Sequence, residues 1–462
     1  MPGRERLGGT RVLVDACRRA RARWLLIALV VVTVSASGGE VPSTGNARAP
    51  TCAEKGTSYP RTATTYLSQD RLPPVEELAR YDLVVVDSEW AHRAPRRYFN
   101  QLRAADPGVC ILAYVNLVDH PDQLGTPKYW AHRYSLWRFK DSKTSTFPQQ
   151  WLATTSGGKQ VSEFANSSMA NLTDHAPRID GQTYAEYAAK WVDETVWSTG
   201  LWDGVFLDVW GDRIYTADVD AWDSDGDGVD EPADAIYGAR GPWAQGIRQA
   251  ERVMRSRMPG AILVANGDRT LRDNKLDGLV WESFVDPQSG RDPADDFRNY
   301  VTTIAKGEHR RPGVSITINL RRAPKGSATD RRTARFRLAS TLMQDGFWAP
   351  MGADYGELAS YDELDGGGLG RGYLGRPLAK SPTWAALQGP FHDGVGSLEP
   401  QLFRRDFQNG IVLLNTGTST RTVSLERAYL RVKGAWGTKP KDGTRTTSVS
   451  IAPKDGLVLV RP

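Results

Sequence analysis

Short apolar runs recur along this chain, and most of them stop at a polar residue. Leu83-Val-Val-Val-Asp87 is the first, followed by Val109 to Val115 with Asn116 behind it. Met169 to Asp174, Gly204-Val-Phe-Leu-Asp208 and Ala261 to Ala265 before Asn266 continue the series. Leu279-Val-Trp281 before Glu282, Val314 to Ile318 before Asn319, and Gly346-Phe-Trp348 with Asp354 beyond complete it. Between these strand-like runs lie segments with apolar residues three and four apart, at Arg93–Ala105, Tyr184–Trp197, Trp243–Met258 and Thr333–Met343, which predict helices. Eight strands alternating with helices predict an α/β fold with a parallel sheet. Such a sheet fits a (β/α)8 TIM barrel, the expected fold, or an open doubly wound sheet, and the absence of G-x-G-x-x-G after the first strand disfavours the dinucleotide-binding version of the latter. From Leu402 the pattern changes to short β runs at 411–414, 422–425, 449–451 and 457–460, predicting a small C-terminal all-β domain.

The N-terminus reads differently. Residues 4–23 are rich in Arg, and Trp24–Ala36 is an apolar run too short to span a bilayer, with Val34-Ser-Ala36 suited to signal peptidase. This predicts a signal peptide over 1–36, a flexible linker over 37–60, the barrel over 61–395 and the β domain over 396–462. The expected destination is secretion from a bacterial cell, with cell-surface anchoring, and so membrane contact, only if the segment is left uncleaved. Residues 1–36 hold seven Arg and two acids; without them basic and acidic residues balance at 52 each. The basic charge therefore belongs to the leader, and no nucleic-acid partner is expected. In an exported chain Cys52 and Cys110 could pair, or remain two separate buried thiols.

The order Tyr81-Asp-Leu-Val-Val-Val-Asp87, Ile111-Leu-Ala-Tyr-Val-Asn116, Gly204-Val-Phe-Leu-Asp208, Asp345-Gly-Phe347 and Arg405-Asp-Phe-Gln-Asn-Gly410 with Leu414-Asn415 resembles the hypothetical glycosyl hydrolase 15 group of bacterial barrels. It is also distantly similar to polygalactosaminidase-type and amylase-like barrels that carry a C-terminal β domain. The resemblance spans about residues 80–460 and implies a TIM-barrel glycosidase acting on a polysaccharide or oligosaccharide.

Glycoside hydrolysis needs one protonated carboxylic acid beside the leaving oxygen and one ionised carboxylate as nucleophile or base. In a barrel the strand C-termini share one face, where active sites are built. Acids on strands four and seven are excluded, because the seventh run ends Ile318-Asn319-Leu320. Strands four and six supply Asp208 and Glu282, the expected catalytic pair. This arrangement also matches several α-glycosidase barrels, so the resemblance favours α-linked substrates. Asp208, near polar neighbours, is expected to stay ionised; Glu282, beside Trp281 and Phe284, is expected to be the desolvated acid. Asp212, Asp268 and Asp354 are substitutes. Asp87, Glu89, Tyr114, Asn116 and Asn266 are candidate hydroxyl binders. Trp90, Trp210, Trp281 and Trp348 fall at strand ends, where a ring face can stack on a sugar, and two of the four are expected in the cleft. Residues 120–168, with Trp130, Trp137 and Trp151, are long for one βα unit and predict an elaborated loop over the mouth.

Asp218–Asp234 packs eight carboxylates into 17 residues with no basic residue among them. Within it Asp223, Asp225 and Asp227, Gly228, the Val229 carbonyl and Asp234 fit positions 1, 3, 5, 6, 7 and 12 of a calcium loop. A structural Ca2+ is expected there, with Asp in place of the usual closing Glu. Two rival functions are a non-catalytic cell-surface glycan-binding barrel and a metal-dependent hydrolase. The second is disfavoured, since the six His form no H-x-H or H-E-x-x-H pattern.

Overall fold

The computed structural model describes residues 58–68, 70–122, 131–137, 147–214, 217–267, 275–307, 313–433 and 443–462. The predicted signal segment and nearly all of the linker lie outside these residues.

Eight parallel strands form one sheet in chain order: β1 (Ala63–Tyr66), β2 (Leu83–Asp87), β3 (Cys110–Asn116), β4 (Gly204–Asp208), β5 (Ile262–Ala265), β6 (Gly278–Glu282), β7 (Ile316–Asn319) and β8 (Phe347–Pro350). A parallel bridge between Thr62 and Trp348 brings β8 back to β1, closing the barrel. Helices α1 (Arg96–Ala105), α2 (Tyr184–Trp191), α3 (Pro242–Arg257), α4 (Pro293–Lys306) and α5 (Ala328–Leu342) cross back between strands. Their apolar stripes explain their position: Phe99 and Leu102 of α1 and Ile247 and Met254 of α3 are buried against the strands. A capping box between Thr183 and Glu186 starts α2.

Strand alternation sorts the barrel into two shells. Leu83, Val85, Leu112, Phe206, Val264, Ile316, Ile318, Phe347 and Ala349 fill the interior, while Val84, Val86, Val205, Leu207 and Leu263 face the helices. Cys110, which opens β3 in the interior shell, is disulfide-bonded, and its partner lies outside the described residues, as does Cys52.

Two sequence expectations are corrected. Met169–Asp174 is not a barrel strand: Ser167–Met169 pairs antiparallel with Asp119–Pro121 in a ribbon inside the long β3–β4 connection. The strand that replaces it in the count is β1, whose ATTY sequence is Thr-rich and carries no long apolar run. The fourth and sixth strands keep their numbers, but Asp87 now ends β2 and Tyr114 lies on β3.

The C-terminal region is a six-stranded antiparallel sheet with strands β9 (Val395–Glu399), β10 (Leu402–Phe407), β11 (Gly410–Asn415), β12 (Arg421–Arg431), β13 (Arg445–Ile451) and β14 (Asp455–Val460), in the order β9-β10-β11-β14-β12-β13. Strand β14 packs on α5, where Gly456 is required because a Cβ there would lie 2.3 Å from Ala339 Cβ. Arg335 on α5 binds Asp455 through two bonds of 3.1 and 2.8 Å.

Candidate active site

The interior shell ends, at the C-terminal mouth, in a ring of polar side chains. Phe206 points inward, so period-2 alternation sends Asp208 inward as well; Val280 does the same for Glu282, Leu112 for Tyr114 and Val264 for Asn266. Asn266 Nδ2 donates to both acids, at 2.9 Å to Asp208 Oδ1 and 3.0 Å to Glu282 Oε2. Tyr114 donates its hydroxyl to Asp208 Oδ2 at 2.5 Å, and Tyr355 donates to Glu282 Oε1. Each acid therefore holds one tyrosine hydroxyl and shares one amide.

The backbone turns sharply as soon as each acid is delivered. Val209, Ser283 and Val285 adopt φ of 57°, 53° and 48°. A β-branched residue in this left-handed region is a genuine outlier, costing on the order of 1–3 kcal/mol. Such strain persists where surrounding structure imposes it, and here it lies directly after Asp208 and directly after Glu282. Gly267 permits the same crowding on β5: a Cβ would come within 2.5 Å of Gly211 N.

Burial pushes the Asp208 carboxyl above its ordinary value, and the charge of Glu282 adds to the push, while the bonds from Tyr114 and Asn266 oppose it. Removal from water therefore outweighs the polar neighbours in setting the direction of the shift. Burial likewise raises both tyrosines, which keeps them protonated and donating.

A sequence model of hypothetical glycosyl hydrolase family 15 matches residues 103–411. The chain belongs to this family. It is a glycoside hydrolase, and its substrate is a carbohydrate. No curated protein matches the chain. Among solved structures it is similar to the glycoside hydrolase domain of PelA from Pseudomonas aeruginosa, 16% identical over 65% of this chain and 98% of that one, with a TM-score of 0.39. An Anoxybacillus alpha-amylase is 12% identical over 84% and 88% of the two chains, at a TM-score of 0.38. A pullulanase from Bacillus acidopullulyticus is 11% identical over 85% and 56%, at 0.43.

The remaining candidates are held in different ways. Glu89 is 0% exposed and accepts from the main-chain amides of His132 (3.0 Å) and Arg133 (2.9 Å), so it caps the helical segment Ala131–Leu136. Asp87, also buried, accepts from Arg133 Nη2 at 3.1 Å. These two acids fasten part of the long β3–β4 connection to the end of β2. Trp130 of that connection falls outside the described residues. Trp137 and Trp151 are buried against Tyr184 and Tyr187, with Trp151 stacked on Tyr187 at 5.0 Å.

None of the four strand-end tryptophans is exposed, although Trp348 lines a cavity with Arg337 and Tyr361. Trp90, Trp210, Trp281 and Trp348 are all buried, because each stands one residue out of phase with the inward set or beyond the strand. Trp210 Nε1 donates to Glu251 of α3, and Trp281 meets Tyr300 of α4 edge-on at 5.1 Å. Asn116 caps the turn after β3 by accepting from Val118 and Asp119. Asp212 is buried in the segment after β4. Asp354 is exposed and accepts from Gly356 N at 2.7 Å, shaping the turn that presents Tyr355. Asp268 lies outside the described residues. Tyr355 is the residue that sequence reasoning missed; its one signal was adjacency to the candidate Asp354.

In the acidic loop, Asp223, Asp225 and Glu231 bring carboxylate oxygens within 4.8 Å of one another. Glu231 already accepts from Ser224, and Asp223 from the amides of Gly226, Asp227 and Gly228. Asp227 turns back to Val229 N, and Val229 is 60% exposed. Asp234, the expected closing ligand, pairs with Arg213 at 3.0 Å instead. Glu231, three residues earlier, is the acid that lies with Asp223 and Asp225.

Proposed function

We propose that this protein is an exported, retaining glycoside hydrolase of an extracellular polysaccharide or oligosaccharide, with Asp208 as nucleophile and Glu282 as acid and then base. The observation that carries the reading is the shared amide. Two bonds of 2.9 and 3.0 Å to one nitrogen cap the separation of Asp208 Oδ1 and Glu282 Oε2 at about 5.9 Å. Retaining enzymes hold their carboxyl groups about 5–5.5 Å apart, and inverting ones about 6.5–9.5 Å, to admit a water. In the retaining route Glu282 gives its proton to the glycosidic oxygen while Asp208 bonds to the anomeric carbon. Water then cleaves that ester, with Glu282 taking the proton back. The two bonds donated to Asp208 support its anionic role, and the Arg-rich, apolar N-terminal sequence supports export. No helix among the described residues is long and apolar enough to cross a membrane.

The test is sugar release from a panel of α- and β-linked glycans, followed by aryl glycosides with good leaving groups. Asp208→Asn is expected to lose at least about 10²-fold on every substrate, and Glu282→Gln to lose as much on glycans but far less on activated aryl glycosides, which need no protonation. The opposite pattern swaps the roles. Full activity in Asp208→Asn sinks the reading. Because burial disfavours the charged Asp208, the Asn variant is also expected to be no less stable than wild type, which separates catalytic loss from unfolding.

The acidic loop supports a structural Ca2+ held by Asp223, Asp225 and Glu231, with positive φ at Gly226 and Gly228 letting the chain wrap. Calcium is expected to raise the melting temperature of wild type and leave Asp225→Ala unmoved; an equal rise in both would remove the ion from this loop.

A further inference from the structure

A second cluster of ligand-bearing side chains lies two residues beyond β2. Glu89 and His92 are three apart on the helical turn Trp90–Arg93 and the residue before it, which puts both on one side. His132 arrives from the long β3–β4 connection, forty residues away in sequence. Ligand atoms of all three lie within 4.8 Å of one another. The two imidazole rings meet edge-on with centroids 4.5 Å apart. His132 is 2% exposed, and its Nδ1 is buried without a hydrogen-bond partner. Glu89 is 0% exposed, and the donors it meets are neutral main-chain amides.

A buried imidazole nitrogen with nothing to bond is costly unless something occupies its lone pair. Beside it stand a carboxylate with unused acceptor capacity and a second imidazole. We propose that Glu89, His92 and His132 bind a divalent transition-metal ion, with Zn2+ the best match. Two imidazoles and one carboxylate are a zinc donor set, and the all-oxygen sites of Ca2+ and Mg2+ do not use imidazole. His92 is exposed, so its ring can rotate inward to close the ligand distances. The ion sits outside the Asp208–Glu282 pair and performs no step of hydrolysis. Its effect is mechanical: it ties the Ala131–Leu136 segment to the end of β2. Arg133 of that segment binds Asp87, and Asp87 neighbours Tyr114, the hydroxyl donor to Asp208.

The sequence hides this site because its third ligand is distant. Glu-x-x-His alone is a common helical pairing, and no spacing rule links it to position 132.

The test uses the whole chain stripped with chelator, titrated with Co2+ as a spectroscopic stand-in and with Zn2+ against a chromophoric competitor. One equivalent of Co2+ is expected to give the visible d–d bands of a nitrogen-ligated, low-coordinate ion, and Zn2+ to abolish them by displacement. His92→Ala, an exposed position that leaves the fold intact, is expected to weaken Zn2+ binding at least about tenfold and remove the bands, since losing a ligand should cost no less than losing a second-sphere partner. Asp225→Ala is expected to leave both readouts unchanged, which separates this site from the acidic loop. Featureless Co2+ spectra in wild type, or bands and affinity unaltered in His92→Ala, would overturn the proposal.

Discussion

At the scale of single residues, the site is a balance between burial and donated hydrogen bonds. The Asp208 carboxyl has a folded-state pKa above its ordinary 3.8, chiefly through desolvation, and the Tyr114 hydroxyl is the largest force pulling it down. The sign follows. A raised folded value means that Asp208 favours the fold when protonated, an advantage present below pH 3.8 and lost as pH rises through the folded value. The role proposed for Asp208 asks for the opposite, since a nucleophile must be ionised. Tyr114→Phe removes the downward pull, so the pKa rises further and the acid limb of kcat/KM moves to higher pH. The turnover at the optimum also falls, because a charge-assisted bond to the reacting group is gone. A pH–rate profile of wild type and variant checks this. An acid limb that stays in place, or moves to lower pH, would mean that Asp208 is not the group whose ionisation the rate reports.

At the scale of elements, what could be read in the sequence was what local periodicity encodes. Gly204–Asp208 and Gly278–Glu282 are apolar runs with an acid at the tip, and alternation carries both acids inward, so a pattern of two was enough to find them. Strand β1 escaped because three of its four residues are Thr or Tyr with no apolar run, and its burial comes from β2 and β8 closing on it rather than from its own hydrophobicity. The Met169–Asp174 error has the mirror-image cause. Met169, Ala170 and Leu172 are buried, but within the β3–β4 connection instead of in the barrel wall. Burial was legible there; the partner was not. The tryptophans failed for the same reason. A Trp at a strand tip has the composition of a sugar platform, yet its phase relative to the neighbouring inward residue decides which shell it enters. Trp281 precedes the inward Glu282 and must face α4. Tyr355 shows the remaining gap: a residue that holds a candidate acid from a neighbouring loop leaves no spacing signal, since the distance that matters is measured through space.

At the scale of the whole molecule, the motifs that carry the family resemblance meet across the barrel–sheet contact. Asp345, just before β8, and Arg405, on β10, bind at 2.7 Å, and Arg405 also donates to the carbonyls of Leu342 (3.0 Å) and Gln344 (2.7 Å) at the end of α5. The Arg405 side chain is 0% exposed. The same stretch accepts from the barrel seam, where Arg61 Nη1 donates to the Asp345 carbonyl at 2.8 Å and lies 3.9 Å over the Phe347 ring. One buried guanidinium thus joins the C-terminal sheet to the place where β8 returns to β1. Arg405→Ala leaves two buried carbonyls without their donor and the partly exposed Asp345 without its partner, and a buried acceptor left unsatisfied costs about 1–3 kcal/mol. If the clamp couples the two regions, that loss falls on both. Barrel tryptophan fluorescence and far-UV circular dichroism should then shift together to a lower melting temperature, as one transition. Two separated transitions, with only the later sequence melting early, would show that the sheet is an independent module and that Arg405 stabilises it alone.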